Sequence, residues 1–197
     1  RWPAAVRFIK ERQLNEFFSE KDDDVGIVVQ GGSYNTLIRA LNKLGLADVY
    51  GESKVPLYVM NVAYPLIDDE FERFCEGKRA VLVLEEGQPN FIEQNVADIL
   101  RRLKSPTTLH GKDLLPLAGE YNTAIMLAGI KAFLQQYGKI PADPKERKVI
   151  PLQPVSAEAS AELAANVHAR PPGFCTGCPE RPIFTAMKLV ERELGPH

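Results

Sequence analysis

Two hydrophobic signatures alternate along this chain. Continuous apolar runs at Val25 to Val29, Val55 to Val62 and Val81 to Leu84 predict strands covered on both faces, because a half-solvated strand would alternate apolar with polar. Between them, apolar residues recur at helical spacing: Leu37, Ile38, Leu41 and Leu44, then Phe71, Phe74 and Cys75, then Ile92, Val96, Ile99, Leu100 and Leu103. Thr107 to His110 predicts a short strand. Glu120 to Tyr137 predicts a helix apolar around much of its circumference, and so one buried against the sheet. At the start, Ala4 to Phe18 mixes apolar residues with Arg, Lys and Glu, which suits a surface helix or a connection, and Asp22 to Asp24 reads as a solvated turn. Four strand–helix alternations predict an α/β protein, a three-layer α/β/α sandwich on a mostly parallel sheet with right-handed crossovers.

Loops at the carboxyl ends of such strands are where ligands or partners are met. Two loops qualify. Gly31-Gly32-Ser33 lies between a strand and a helix, where backbone N–H groups can cradle a phosphate. It lacks both the three-glycine dinucleotide spacing and a P-loop lysine, so a tight turn with Ser33 as helix N-cap is the competing reading. Glu85, Glu86 and Gly87 end the third long strand, and Pro89 suits the first turn of the next helix. Successive side chains in an extended stretch point to opposite sides, so the adjacent carboxylates make a poor acid/base couple. Cys75 shares a face with Phe71 and Phe74 and reads as core. His110-Gly111-Lys112-Asp113 offers a polar site, against the reading that His110 satisfies a nearby backbone group.

Composition narrows the function classes. The chain has 197 residues, 45% hydrophobic and 25% charged, enough for one domain and a fraction of another. A net charge of -2 without a basic run argues against nucleic-acid and membrane-surface partners. With no apolar stretch of membrane-spanning length and no signal-peptide pattern, the default compartment is the cytoplasm. The start, Arg1-Trp2-Pro3, reads as a piece of a longer polypeptide. Six prolines between Gly138 and Phe174, around an alanine-rich stretch from Ser156 to Val167 that suits an isolated helix, predict an interdomain connection. Beyond it, Cys175-Thr176-Gly177-Cys178 can aim two thiolates at a soft metal, form a redox pair, or close a structural turn. Two function classes stay open on the residues alone: a nucleotide or coenzyme A binding module at the glycine loop, and a zinc-knuckle interaction domain.

The ordered set Gly31-Gly32-Ser33-Tyr34-Asn35, Tyr64-Pro65-Leu66, Val83-Leu84-Glu85-Glu86-Gly87, Ile92-Glu93-Gln94, Gly111-Lys112-Asp113-Leu114, and Arg170-Pro171-Pro172 leading to Cys175-Thr176-Gly177-Cys178-Pro179 resembles indolepyruvate:ferredoxin oxidoreductases. The resemblance runs from about Val25 to Arg181. It implies a transketolase C-terminal-like domain at 25–137, with residues 1–24 connecting from a preceding domain, 138–174 a linker and 175–197 the opening of a pyrophosphate-binding domain. It implies an enzyme using thiamine diphosphate, Mg2+ and 4Fe-4S clusters to convert an aryl 2-oxoacid and coenzyme A, with electrons passed to ferredoxin, and a homo-oligomeric assembly. This segment's implied share is domain packing, with Glu85, Glu86, Gly87, Tyr34 and Asn35 facing the interface, Cys175 and Cys178 as metal ligands in the whole subunit, and no catalytic residue. Glu180 stands where the family pattern has histidine, and no Gly-Asp-Gly run is present.

Overall fold

The computed structural model describes residues 1–18, 23–142, 144 and 181–195. They belong to two units, Arg1–Val149 and Ile150–His197. In the first unit the elements run α1 (Trp2–Glu11), β1 (Glu16–Phe18), β2 (Val25–Gln30), α2 (Tyr34–Lys43), β3 (Leu57–Met60), α3 (Asp68–Cys75), β4 (Ala80–Leu84), α4 (Phe91–Arg102), β5 (Thr108–His110) and α5 (Thr123–Gln136). The described part of the second unit is one helix, α6 (Arg181–Leu194).

The strand order is β1-β3-β2-β4-β5; β3, β2, β4 and β5 are mutually parallel and β1 runs antiparallel on the edge. Both faces of the sheet are covered, as the unbroken apolar runs require. On one side Ile27, Val29, Leu57, Leu82 and Leu84 pack with Leu37 and Leu41 of α2 and Met126, Ile130 and Phe133 of α5. On the other, Val28, Tyr58, Val81 and Val83 pack with Phe71, Phe74 and Cys75 of α3 and Ile92, Val96 and Ile99 of α4. The architecture is thus three-layer α/β/α. Cys75 is core: it is 3% exposed, and burial pushes its thiol up to about 12.

Four local expectations change. Glu16-Phe17-Phe18 is a strand, not the end of a helix, and pairs Phe17 with Tyr58. The strand predicted over Val55 to Val62 shortens to Leu57–Met60. Ser33 does not cap α2 with its side chain, because a 3-10 turn over Gly31–Ser33 precedes that helix. Helix α5 starts at Thr123 because the Asn122 side chain accepts the Ala124 and Ile125 N–H groups at 3.0 and 3.1 Å.

The acidic turn before β2 is anchored rather than merely solvated. Asp24 pairs with Arg79 and with Lys139, and Asp23 lies 2.5 Å from Lys139. The Lys139 bond first, then Arg79, holds the Asp24 carboxyl at about 2, below its ordinary 3.8. A depressed folded value adds stability above the ordinary value and loses it as pH falls through the folded one. Because Asp24 is about a third exposed, the contribution is at most about 1 kcal/mol. Urea midpoints of wild type and Asp24→Asn are expected to differ at pH 6 and to converge as pH falls from about 4 to 2; a constant gap contradicts this.

Candidate functional site

Sheet topology puts the two glycine-containing loops together. Parallel strands β2 and β4 are neighbours, with Val29 beside Leu84, yet their following helices go to opposite faces. Their loops, from Gly31 and from Glu85, therefore leave the sheet side by side at a topological switch point.

The β4–α4 loop is organised by its charges. Glu85 is 5% exposed, and its carboxylate accepts the Ile92 N–H at 2.9 and 3.1 Å and the Glu93 N–H at 3.0 Å. It therefore caps α4 from outside the helix; Pro89, expected in that helix's first turn, lies just before the N-cap residue Asn90, which makes no side-chain cap bond. Placement against the positive helix end reinforces those bonds. Glu85 was expected to face a neighbouring domain; within this chain its carboxylate oxygens are taken up by these internal bonds. Glu86 is exposed, and one of its oxygens accepts the Tyr121 N–H at 2.7 Å.

Lys112 ties the next loop to this one. Its Nζ donates to the Glu85 carbonyl at 2.5 Å and to the Tyr121 hydroxyl at 2.6 Å, while its own N–H donates to Glu93 at 2.9 Å. Desolvation lowers the Lys112 pKa, and Glu85, Glu93 and Glu86 oppose that shift. Desolvation, with the same carboxylates, also raises Tyr121 to about 12. Gly111 lies close against the Glu93 carboxylate, so a Cβ there would force the Glu93 side chain to move. Beside it, His110 contacts Asp113 at 2.6 Å through Nδ1 and the Tyr137 hydroxyl at 2.8 Å through Nε2, so its partners are side chains and not the backbone. Desolvation acts to raise Asp113, but the Gly111 N–H and His110 outweigh it and hold the carboxyl below its usual range.

At the glycine loop, Gly31 lies against Asn61, whose side chain would clash with a Cβ there and which itself donates to Leu14 and Glu16. The absence of a side chain at Gly31 is thus explained by internal packing. Gly32 and Asn35 are exposed; Tyr34 stacks on Phe18 at 5.3 Å. The structure therefore brings the glycine loop and Glu85–Gly87 to one edge of the sheet. Among the described residues no group of three or more His, Cys, Asp or Glu is placed to hold a metal. Cys175, Cys178 and Glu180 lie outside the described residues. No described helix is long and apolar enough to cross a membrane.

Residues 15–107 match the family described as the indolepyruvate ferredoxin oxidoreductase middle domain. The chain is 29% identical over 187 residues to indolepyruvate oxidoreductase subunit IorA of Methanothermobacter thermautotrophicus, covering 93% of this chain and 26% of that protein. With the same-named subunit of Archaeoglobus fulgidus identity is 32% over 191 residues, 96% of this chain and 27% of that protein. With that of Pyrococcus abyssi it is 28% over 168 residues, 85% and 23%. The chain thus spans about a quarter of the length of the curated relatives it matches.

Proposed function

We propose, from the premise that this chain belongs to the indolepyruvate ferredoxin oxidoreductase family through a middle domain at residues 15–107, that it is the packing domain of a larger oxidoreductase subunit. On this reading the full enzyme works in the cytoplasm as a homo-oligomer. An aryl 2-oxoacid would lose carbon dioxide, its acyl group would go to the coenzyme A thiol and ferredoxin would take the electron pair, with 4Fe-4S clusters elsewhere in the assembly supplying the electron-transfer chemistry. Thiamine diphosphate, bound with Mg2+, supplies the carbanion-stabilising chemistry. The described residues do not fit Mg2+ or a 4Fe-4S cluster, since no group of three or more His, Cys, Asp or Glu placed to hold a metal lies among them. The sequence also has no Gly-Asp-Gly run. The reading therefore places these cofactors on other parts of the assembly, with Cys175 and Cys178 as ligands only in the whole subunit.

The observation that carries the proposal is the way charge is used at the carboxyl edge. Glu85, Glu86, Glu93 and Lys112 all serve as internal fasteners of loops, which suits a preformed surface and not a proton-transfer site. The face left for a neighbouring domain is the open part of that edge, exposed Asn35 and Phe91 with half-buried Gly87 between the strand and the helix, Phe91 being 63% exposed at the start of α4. Phe91→Asp puts an acid at a helix N-terminus, so the isolated chain is expected to melt within a degree or two of wild type. In the full-length subunit the same change is expected to weaken assembly and cut turnover at least tenfold. Unchanged assembly with full turnover sinks the reading.

A further inference from the structure

A cleft of about 600 Å3 opens between α1, β1 and α3, a volume in the range of small-molecule sites. Its charged lining sets Lys10 and Arg73 against Glu16, Asp69 and Glu70. Lys10 pairs with Asp69, Glu16 accepts from the Asn61 side chain, and Glu70 accepts from Asn15 and Tyr58. Arg73 differs: among the described residues no carboxylate lies within ion-pair distance of it, and its guanidinium sits 3.9 Å over the Phe17 ring. Stacking occupies the flat face of a guanidinium and leaves its N–H edge, the fork that takes a carboxylate through two parallel bonds.

Glu70 and Arg73 stand three apart on α3, where opposite charges ordinarily meet. They do not pair here, because Phe17 holds the guanidinium while Asn15 and Tyr58 hold Glu70 through Oε2. The other Glu70 oxygen, Oε1, takes no hydrogen bond among the described residues. A guanidinium fork and a carboxylate oxygen are thus kept apart on one helix, both lining one cleft.

Charge decides what fits between them. A lone carboxylate on Arg73 would set four carboxylates against two cations in the cleft, whether it came from solution or from Glu20 or Asp22, which lie outside the described residues. An ammonium alone would meet the carboxylates and leave the fork empty. A ligand carrying both groups leaves the balance unchanged and meets both. In an α-amino acid the two charges share one carbon, a separation suited to side chains whose Cβ atoms are roughly 5–6 Å apart on a helix.

We infer that the cleft between α1, β1 and α3 is a site for a free α-amino acid, its carboxylate on the Arg73 guanidinium and its ammonium on Glu70. Phe17 belongs to the edge strand and Glu70 to α3, so the bound molecule ties the two together, as an effector of the edge and not as a substrate.

An amide NMR titration of the 197-residue chain tests this, with alanine and phenylalanine each run beside its two one-charge analogues: propionate and ethylamine for the first, 3-phenylpropionate and 2-phenylethylamine for the second. At least one amino acid is expected to give saturable shifts at Phe17 and at residues 69–73, and both its analogues to bind roughly tenfold more weakly or worse. Arg73→Lys keeps the charge and loses the fork; it is expected to weaken binding roughly tenfold or more while the resonances of β4 stay where they are in wild type. Shifts that remain linear up to roughly 10 mM of both amino acids overturn the assignment. So does propionate or 3-phenylpropionate binding as tightly as its parent, which would make the cleft a plain anion site, and so does undiminished binding to Arg73→Lys. Binding that appears only after Glu20→Gln or Asp22→Asn also overturns it, since the chain would then fill its own site. The readout needs neither turnover nor a partner domain, so it stands or falls separately from the proposed function.

Discussion

Glu85→Ala is expected to lower the stability of the isolated chain by about 2–4 kcal/mol, the largest loss for any single charged residue at the carboxyl edge. The alanine leaves the Ile92 and Glu93 N–H groups without their acceptor at a helix end whose N-cap residue supplies no side-chain bond. Loss of a helix cap costs about 0.5–2 kcal/mol, and each buried donor left unsatisfied about 1–3 kcal/mol. Spread over a urea slope of about 1–3 kcal/mol/M, the midpoint should fall by roughly 1–2 M. Glu85→Gln keeps one acceptor oxygen and loses the charge, so about half the effect is expected. Glu86→Ala breaks a single bond at an exposed residue and should cost about 1 kcal/mol or less. A Glu86 variant as damaging as the Glu85 one would show that the cap assignment is wrong.

The contrast between these two glutamates shows what the sequence carried and what it did not. Period and run length distinguish strands from helices because they reflect which faces are covered, so β2, β4, α2 and α4 were legible as alternating apolar patterns. The role of Glu85 was not, because its partners lie seven and eight residues on, across a turn whose path no local pattern encodes. Asn122 was missed as the cap of α5 because Glu120 and Tyr121 before it suit a helix equally well. Strand β1 was hidden for another reason: three residues cannot display a period, and Phe17 and Phe18 fit a helical face as readily as the two sides of a sheet. At the candidate site, Lys112 and His110 stood out as residue types, but the groups that engage them, Glu93, Tyr121 and Tyr137, come from other elements and are brought in only by packing.

Edge strand β1 is held by a buried polar cluster, and breaking it is the second large effect expected. Asn15, 4% exposed, accepts the Val62 N–H at 2.9 Å and donates to Glu70 at 2.8 Å and to the Tyr58 hydroxyl at 3.3 Å. The Tyr58 hydroxyl donates to the same Glu70 oxygen at 2.6 Å. Burial first, then Glu70, drives the Tyr58 pKa far up, so the phenol stays a donor at any pH the fold survives. Above the cluster, Phe17 of β1 stacks on the Tyr58 ring at 4.6 Å and carries the Arg73 guanidinium at 3.9 Å. Asn15→Ala is expected to cost about 2–3 kcal/mol, since it strands the Val62 N–H and removes a donor from a part-buried carboxylate. Tyr58→Phe keeps the ring stack and loses one charge-assisted bond, for about 1.5–3 kcal/mol. Because both residues serve one Glu70 oxygen, the double variant should lose less than the two single losses added together, by about 0.5–2 kcal/mol. Amide exchange separates this from a general loosening: Glu16 to Phe18 should exchange much faster in Asn15→Ala while the central strand β4 keeps its protection. Additive losses with β1 still protected would mean that the three side chains are neighbours without being a unit, and that the antiparallel ladder to β3 alone retains the edge.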